Sequence, residues 1–239
     1  MKISIITVCF NSQQTIKATI KSVLNQSYKQ VEYIIIDGAS TDNTIKIINE
    51  FSNSIDVFIS EGDAGIYDAI NKGITKSSGD VVGLLHADDV FENNSVVGNV
   101  MRLFDENVDM IYGDINYVDR KDINRVIRRW KSDSYSKGKF KYGWMPPHTG
   151  FFIKKSCYTK YGLYNLSLGS SADYELMLRM FEVYNLKSKY IPLNITKMRV
   201  GGISNSSFKN RWEANRNDKK SWEINGLKPF WFTFLIKPI

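Results

Sequence analysis

Short apolar runs alternate with helically spaced apolar residues through the first half of this chain, and that alternation leaves few folds open. Residues 3–8, 31–36, 57–60 and 81–85 read as strands. Between them Ile16, Ile20, Val23 and Leu24 recur at helical spacing, as do Ile45, Ile48 and Phe51, and then Ile66, Ala69, Ile70, Gly73 and Ile74. Val96, Val97, Val100, Met101 and Phe104 mark one more helix, and Ser12 is the expected cap of the first. Strands separated by helices of this length predict βαβ units. Their right-handed crossovers build a mostly parallel, doubly wound α/β sheet with helices on both faces.

The last of those strands ends abruptly in chemistry. Val81-Val82-Gly83-Leu84-Leu85-His86-Ala87 runs into the adjacent carboxylates Asp88 and Asp89. Ligands of open parallel sheets bind at the carboxyl ends of the strands. Hard divalent cations take oxygen ligands and often use only one or two carboxylates beside substrate phosphates. The pair therefore suits a metal-bound nucleotide diphosphate. It equally suits the start of an ordinary loop, because Asp favours turns.

Past residue 109 the pattern changes. Residues 110–118 and 125–130 read as strands with no helix between them, residues 131–147 as a long loop rich in Lys, Gly and aromatics, and residues 150–153 as a short strand. A helix over 173–181 follows, with Ser170 and Ser171 as caps. Residues 201–207 form a Gly/Ser loop, and a polar helix spans about 208–224. The aromatic tail Pro229-Phe230-Trp231-Phe232-Thr233-Phe234-Leu235-Ile236 closes the sequence.

The chain has 239 residues, 43% of them hydrophobic and 13% aromatic, enough core for one large domain with an appendage. The start shows no charged segment before a long apolar stretch, so no signal peptide is expected. No 18 apolar residues run together, so no spanning helix is expected either. Cys9 and Cys157 are too few for a disulfide framework and fit reduced thiols in the cytoplasm. A net charge of +7 points to acidic partners: nucleotides, phospholipid surfaces or nucleic acid. Arg125, Arg128, Arg129, Lys131, Lys137 and Lys139 interleave with Trp130, Tyr135 and Phe140, a mixture that serves single-stranded nucleic acid, anionic lipid or a solvated edge alike. The short aromatic tail between Lys228 and Lys237 suits a membrane surface rather than a span, or a contact with the core or a second copy.

Taken in order, several segments resemble glycosyltransferase family 2, inverting enzymes with the nucleotide-sugar-binding fold called GT-A. They are Ile5-Ile6-Thr7-Val8-Cys9-Phe10-Asn11, Ile34-Ile35-Ile36-Asp37-Gly38-Ala39-Ser40-Thr41-Asp42, Asp63-Ala64-Gly65-Ile66-Tyr67-Asp68-Ala69-Ile70-Asn71-Lys72-Gly73, His86-Ala87-Asp88-Asp89, Pro147-His148-Thr149-Gly150-Phe151-Phe152 and Ala172-Asp173-Tyr174-Glu175-Leu176. The resemblance covers residues 1–204. It implies a nucleotide-sugar and metal-binding half over 1–115 and an acceptor and catalytic-base half of the same domain over 116–204; the residues themselves add a C-terminal helix and membrane-surface tail over 205–239. Three positions depart from the pattern: His86 stands where many members carry a carboxylate, Ala172 where a second acid is common, and Ile70 where an Arg is common.

The resemblance also implies roles. Asp37 accepts a hydrogen bond from the uracil or ribose, with Thr7, Phe10 and Asn11 lining the same pocket and Asp63 and Asp68 beside it. Asp88 and Asp89 face ribose and Mn²⁺ or Mg²⁺. Asp173 is the general base. His148 binds phosphate or acceptor or packs beside its prolines, and Arg199 clamps the diphosphate. For Asp63, Asp68 and Asp173, the competing role is to cap or favour a helix start. The function implied is transfer of a hexose, from UDP-galactose or UDP-glucose, onto a polyprenyl-diphosphate-linked saccharide in bacterial surface polysaccharide (O-antigen or capsule) synthesis. The protein would then sit in the cytoplasm against the inner face of the membrane, with a homodimer possible and nucleic acid not a partner. A nucleotidyltransferase and a basic nucleic-acid-binding protein are the rival readings.

Overall fold

The computed structural model describes residues 1–201 and 208–234. Its amino-terminal part is the expected βαβ series. Strand β1 (Ile3–Cys9) leads through helix α1 (Ile16–Leu24) to β2 (Val31–Asp37). Helix α2 (Thr44–Asn49) leads to β3 (Val57–Ser60), and α3 (Ile66–Lys76) to β4 (Val81–Leu84). These four strands are all parallel, in the order β3-β2-β1-β4. Every residue of β1 is buried, because helices cover both faces. Gly73 of α3 sits so close to β1 that a β-carbon there would lie 2.5 Å from Ile6, which sets how tightly this helix docks. The first helix begins at Thr15 rather than Ser12. The Ser12 carbonyl, not its side chain, receives the first turn's Thr15 and Ile16 amides.

The carboxyl-terminal part is mixed. A two-residue strand β5 (Val90–Phe91) and helix α4 (Val96–Met101) precede β6 (Met110–Val118), β7 (Val126–Trp130), β8 (Phe151–Lys154), helix α5 (Lys155–Tyr161), helix α6 (Ala172–Leu178), β9 (Ser188–Arg199) and helix α7 (Phe208–Ile224). The sheet continues from β4 as β8-β6-β9-β5, with β7 beside β6. Strand β8 runs antiparallel to β4 and β6, while β9 runs parallel to β6. The division expected at residue 115 thus falls inside β6. Strand β9 went unread although Ile191, Leu193 and Ile195 alternate with Pro192 and Asn194, because a proline inside such a run argues against a strand.

Helix α6 passes into a π-helical turn over Arg179–Val183. Buried Glu175 and Arg179 pair there at 2.7 Å, and Arg179 also donates to the carbonyls of Tyr161 and Leu163. Helix α7 closes over α6: the Trp222 indole, 1% exposed, donates to the Tyr174 hydroxyl at 2.8 Å. The Gly/Ser loop expected over 201–207 lies outside the described residues, apart from Gly201.

Candidate active site

Because β1, β2, β4, β6 and β9 point the same way, their carboxyl ends share one edge of the sheet. The antiparallel strand β8 begins at that edge, just after the turn His148–Gly150. Most of the residues singled out from the sequence gather along this edge, in two groups.

The first group lies at the ends of β1 and β2. Phe10 is 62% exposed and flanks Gly38, whose position a β-carbon could occupy only 2.7 Å from the Asp63 carboxylate. Asn11 and Ala39 both have left-handed backbones, at φ 48° and 61°. Asn tolerates this conformation, whereas Ala adopts it at a cost of about 1–2 kcal/mol, so the turn is held by other bonds. Asn11 Oδ1 accepts the Thr41 amide at 2.9 Å, and the Asn11 amide donates to Ser40 Oγ at 2.8 Å. Asp63 accepts the Gly65 amide and Asp68 the Ala64 amide, while Lys72 bridges Asp68 and Glu61 at 3.4 and 2.9 Å. These carboxylates shape the loop beside Phe10, and Asp63 remains exposed on it.

Two expectations for this group need correcting. Asp37 is 0% exposed, and its carboxylate is already filled. It accepts the Ser40 amide and hydroxyl, the Ser60 hydroxyl at 2.8 Å and the Cys9 thiol at 3.4 Å. It builds the turn and offers no surface to a base or ribose. Burial, reinforced by Asp37, pushes the Cys9 thiol far up, so it stays protonated. Thr7 is likewise fully buried, its hydroxyl bonded to Tyr33 at 3.1 Å, so its side chain lines no pocket and only backbone contact is left to it.

The second group lies at the end of β4. The chain turns at His86, with the Asp89 amide on the His86 carbonyl at 3.0 Å, and β5 then pairs Val90 with Lys197 of β9. That short pairing carries Asp89 onto the end of β9, where its Oδ1 accepts the Arg199 amide at 3.3 Å. The Arg199 guanidinium reaches back to the Asp88 carbonyl. From below, the Thr19 hydroxyl points at the Ala87 and Asp89 carbonyls, at 2.9 and 2.7 Å. Asp88 is half-buried and Asp89 is 1% exposed. Burial, and then the neighbouring Asp88, hold the Asp89 carboxyl well above the usual carboxylate range.

A divalent cation would reverse that displacement. Two carboxylates at a strand end fit a hard ion that takes its remaining oxygens from a diphosphate and water. Among the described residues no group of three or more His, Cys, Asp or Glu side chains forms a complete protein cage.

Asp173 completes the group. It lies in the first turn of α6, where Ser171 is the cap residue but makes no side-chain cap bond, so Asp173 also supports the helix start. Its Oδ1 accepts the Tyr174 amide at 2.8 Å, and its Oδ2 lies 3.4 Å from His148 Nδ1. The His148 ring in turn sits 5.4 Å from that of His86. Thr196 of β9 fixes the His148 turn by donating to the Thr149 carbonyl at 2.7 Å. His86 is half-buried with its Nδ1 buried and unpartnered, and desolvation with the nearby His148 lowers it to about 3, so it stays neutral.

Sequence reading missed three neighbours. The Tyr67 hydroxyl stands against Ser170 and Asp173, and its acidity is suppressed by burial and by Asp173. It lies inside the 63–73 segment, one residue before Asp68, so the motif itself pointed at it. Tyr117 is raised chiefly by burial, with the charges of Asp89 and Asp173 adding to it. Arg120 stands by Gly201 and repels Arg199. Neither Tyr117 nor Arg120 has a local sequence signal, because the β6–β7 ribbon positions both.

An edge with an exposed aromatic ring at one end and a carboxylate pair with a further carboxylate at the other fits a group-transfer enzyme acting on nucleotide-linked substrates. The family model for glycosyl transferase family 2 matches residues 4–163. The chain belongs to that family. It is 33% identical over 188 residues to an uncharacterized glycosyltransferase of Mycobacterium tuberculosis, covering 74% of this chain and 68% of that one. A second relative, 31% identical over 122 residues, is the Escherichia coli UDP-Glc:alpha-D-GlcNAc-diphosphoundecaprenol beta-1,3-glucosyltransferase, with 51% of this chain and 48% of that protein aligned. Staphylococcus aureus TarS, solved with UDP-GlcNAc, shares the fold at TM-score 0.69 and 15% identity, over 94% of this chain and 70% of that one. A mannosyltransferase from Pyrobaculum calidifontis, solved with GDP-Man and Mn²⁺, does so at TM-score 0.65 and 15% identity, over 93% of this chain and 63% of that one. The fold is GT-A, as the ordered motifs implied.

Proposed function

We propose that the chain transfers a hexose, with inversion, from a UDP-sugar to a saccharide carried on a polyprenyl diphosphate, in bacterial surface polysaccharide synthesis. The observation that carries this reading is the series of side chains that links the turn before Asp88 and Asp89 to Asp173, with His86 beside His148 and His148 beside the Asp173 carboxylate. A lone carboxylate that is 16% exposed can take the acceptor's hydroxyl proton while that oxygen attacks the anomeric carbon. The UDP–sugar bond breaks on the opposite side. With Asp173 acting as base, the reaction is a single displacement, and an α-linked donor gives a β-linked product.

Asp88 and Asp89 would hold Mn²⁺ or Mg²⁺, which supplies Lewis-acid neutralisation of the departing diphosphate. Arg199 contributes a further cation against the same backbone turn. His148 orients the Asp173 carboxylate toward the acceptor. Phe10, Gly38 and Asp63 form the wall where the base stacks, and Asn11 and Asp68 hold that wall in shape. UDP-glucose and UDP-galactose lead as donors: the E. coli relative uses UDP-Glc with a diphosphoundecaprenol acceptor, and TarS was solved with UDP-GlcNAc. A lipid-linked acceptor places the reaction at the cytoplasmic face of a membrane.

The test is a donor screen. The protein is incubated with UDP-glucose, UDP-galactose, UDP-GlcNAc and GDP-mannose, with Mn²⁺ or with chelator, and slow donor hydrolysis is measured. Turnover of a UDP-hexose that chelator abolishes is expected. Full activity in chelator removes the metal role, and exclusive use of GDP-mannose removes the UDP assignment.

A further inference from the structure

The aromatic tail does not trail from the body. Thr233, 1% exposed, donates to the Lys141 carbonyl at 2.6 Å, and Phe234 packs against the main core. This clamp lays residues 230–232 beside the turn Lys139–Tyr142. Phe230 and Phe232 stack with ring centroids 5.3 Å apart, Tyr142 meets them at 5.5 and 6.3 Å, and Trp231 stands edge-on to Phe232 at 5.5 Å. One aromatic cluster is thus assembled from two segments distant in sequence.

The outer members of the cluster are turned to solvent: Trp231 is 86% exposed, Tyr142 61% and Phe230 39%. Folding has sorted the tail, burying Thr233 while leaving the largest ring outside. Rings with an apolar body and a polar tip suit the boundary between lipid headgroups and acyl chains. The rim is basic. Lys141 Nζ lies 5.4 Å from the Phe230 centroid, and Lys228 is exposed two residues before it. Asp133 is held by Lys139 at 2.5 Å, and Glu182 accepts the Gly138 amide at 3.0 Å. Among the described residues no helix is long and apolar enough to cross a membrane, so such a patch attaches at the surface.

We propose that Trp231, Phe230 and Tyr142, rimmed by Lys141 and Lys228, form a docking surface for an anionic lipid bilayer. The inference rests on the reading above only in that a lipid-linked acceptor gives the enzyme a reason to sit there. Vesicle binding needs neither donor nor acceptor, so its failure leaves the transfer reaction untouched, and failure of the donor screen leaves the docking surface untouched.

The test is flotation of the full chain with phosphatidylcholine vesicles, with and without phosphatidylglycerol. Expected is binding that requires phosphatidylglycerol and weakens with salt. Trp231→Ser, at so exposed a position, should keep the melting temperature and lose about tenfold or more in partitioning. Lys141→Glu with Lys228→Glu should lose at least as much. The proposal is overturned if Trp231→Ser floats like the parent, or if neutral and anionic vesicles bind equally. It is also overturned if sedimentation shows a dimer that Trp231→Ser dissociates while neither form binds vesicles.

Discussion

Replacing Asp173 with Asn separates chemistry from stability, and the structure sets the size of both effects. An amide oxygen can still accept the Tyr174 N–H now held at 2.8 Å, and Ser171 remains the cap residue. What the fold loses is one carboxylate in the first turn of a helix, about 0.3–1 kcal/mol. For a chain of this length that lowers the melting temperature by no more than about 4 °C. The reaction loses its proton acceptor, a cost of about 10²–10⁴ in rate, or about 3–5 kcal/mol of barrier. The expected variant is therefore folded, binds UDP-sugar with Mn²⁺ almost as the parent does, and is catalytically crippled. Single-turnover transfer, calorimetric donor titration and a thermal melt measure the three quantities separately. Near-normal turnover would refute the base assignment. A melting temperature lower by about 10 °C together with lost donor binding would show that Asp173 is structural instead. NMR of the parent's product supplies an independent check, since retained configuration is incompatible with a single carboxylate acting by direct displacement.

Three further outcomes are expected. Asp89 holds its proton in the folded state at pH values where the unfolded chain releases it. The metal-free protein should thus lose stability as pH rises from about 4 through the raised value, by about 1.4 kcal/mol for each pH unit crossed. Asp89→Asn should lack that decline while losing transfer, and urea unfolding that falls in parallel for both proteins between about pH 5 and pH 8 would count against it. Glu32 shows the opposite sign: burial alone would raise it, but bonds from Ser4, Ser78 and Lys2 outweigh burial and bring it down to about 2. Its contribution is present above about pH 4.5 and is lost as pH falls toward 2, so Glu32→Gln should cost about 2–3 kcal/mol at pH 7 and almost nothing near pH 2; an equal cost at both ends would refute the linkage. Thr19→Val removes the one hydroxyl that serves both the Ala87 and Asp89 carbonyls, and should cost about 1–3 kcal/mol and raise the donor KM; an unchanged KM would mean the turn does not depend on this support.

The ordered motifs led directly to the family and to the Asp88–Asp89 turn, because strand-end carboxylates and βαβ periodicity are local properties. Local patterning also identified α1, α2, α3 and α4 and the first four strands, since each buries one apolar stripe against the sheet. It failed at β9, where Pro192 inside an alternating run argues against a strand and pairing with β6 and β5 holds it in place. It also failed for Asp37 and Thr7. A strand-end Asp looks the same in sequence whether it faces a ligand or its own turn, and only the positions of Ser40, Ser60 and Cys9 decide between them.

The sequence by itself determined the parallel half of the sheet and the edge at which its strands end, because βα alternation allows one handedness and one polarity. Tertiary structure alone decided what meets at that edge. The short β5–β9 pairing brings Arg199 to Asp89, and the antiparallel entry of β8 brings His148 to Asp173. The Thr233 clamp turns a tail of undetermined course into a patch shared with Tyr142. Each of these joins residues far apart in the chain, and contacts of that kind are set by packing and hydrogen-bond closure across the whole fold, which no local pattern encodes.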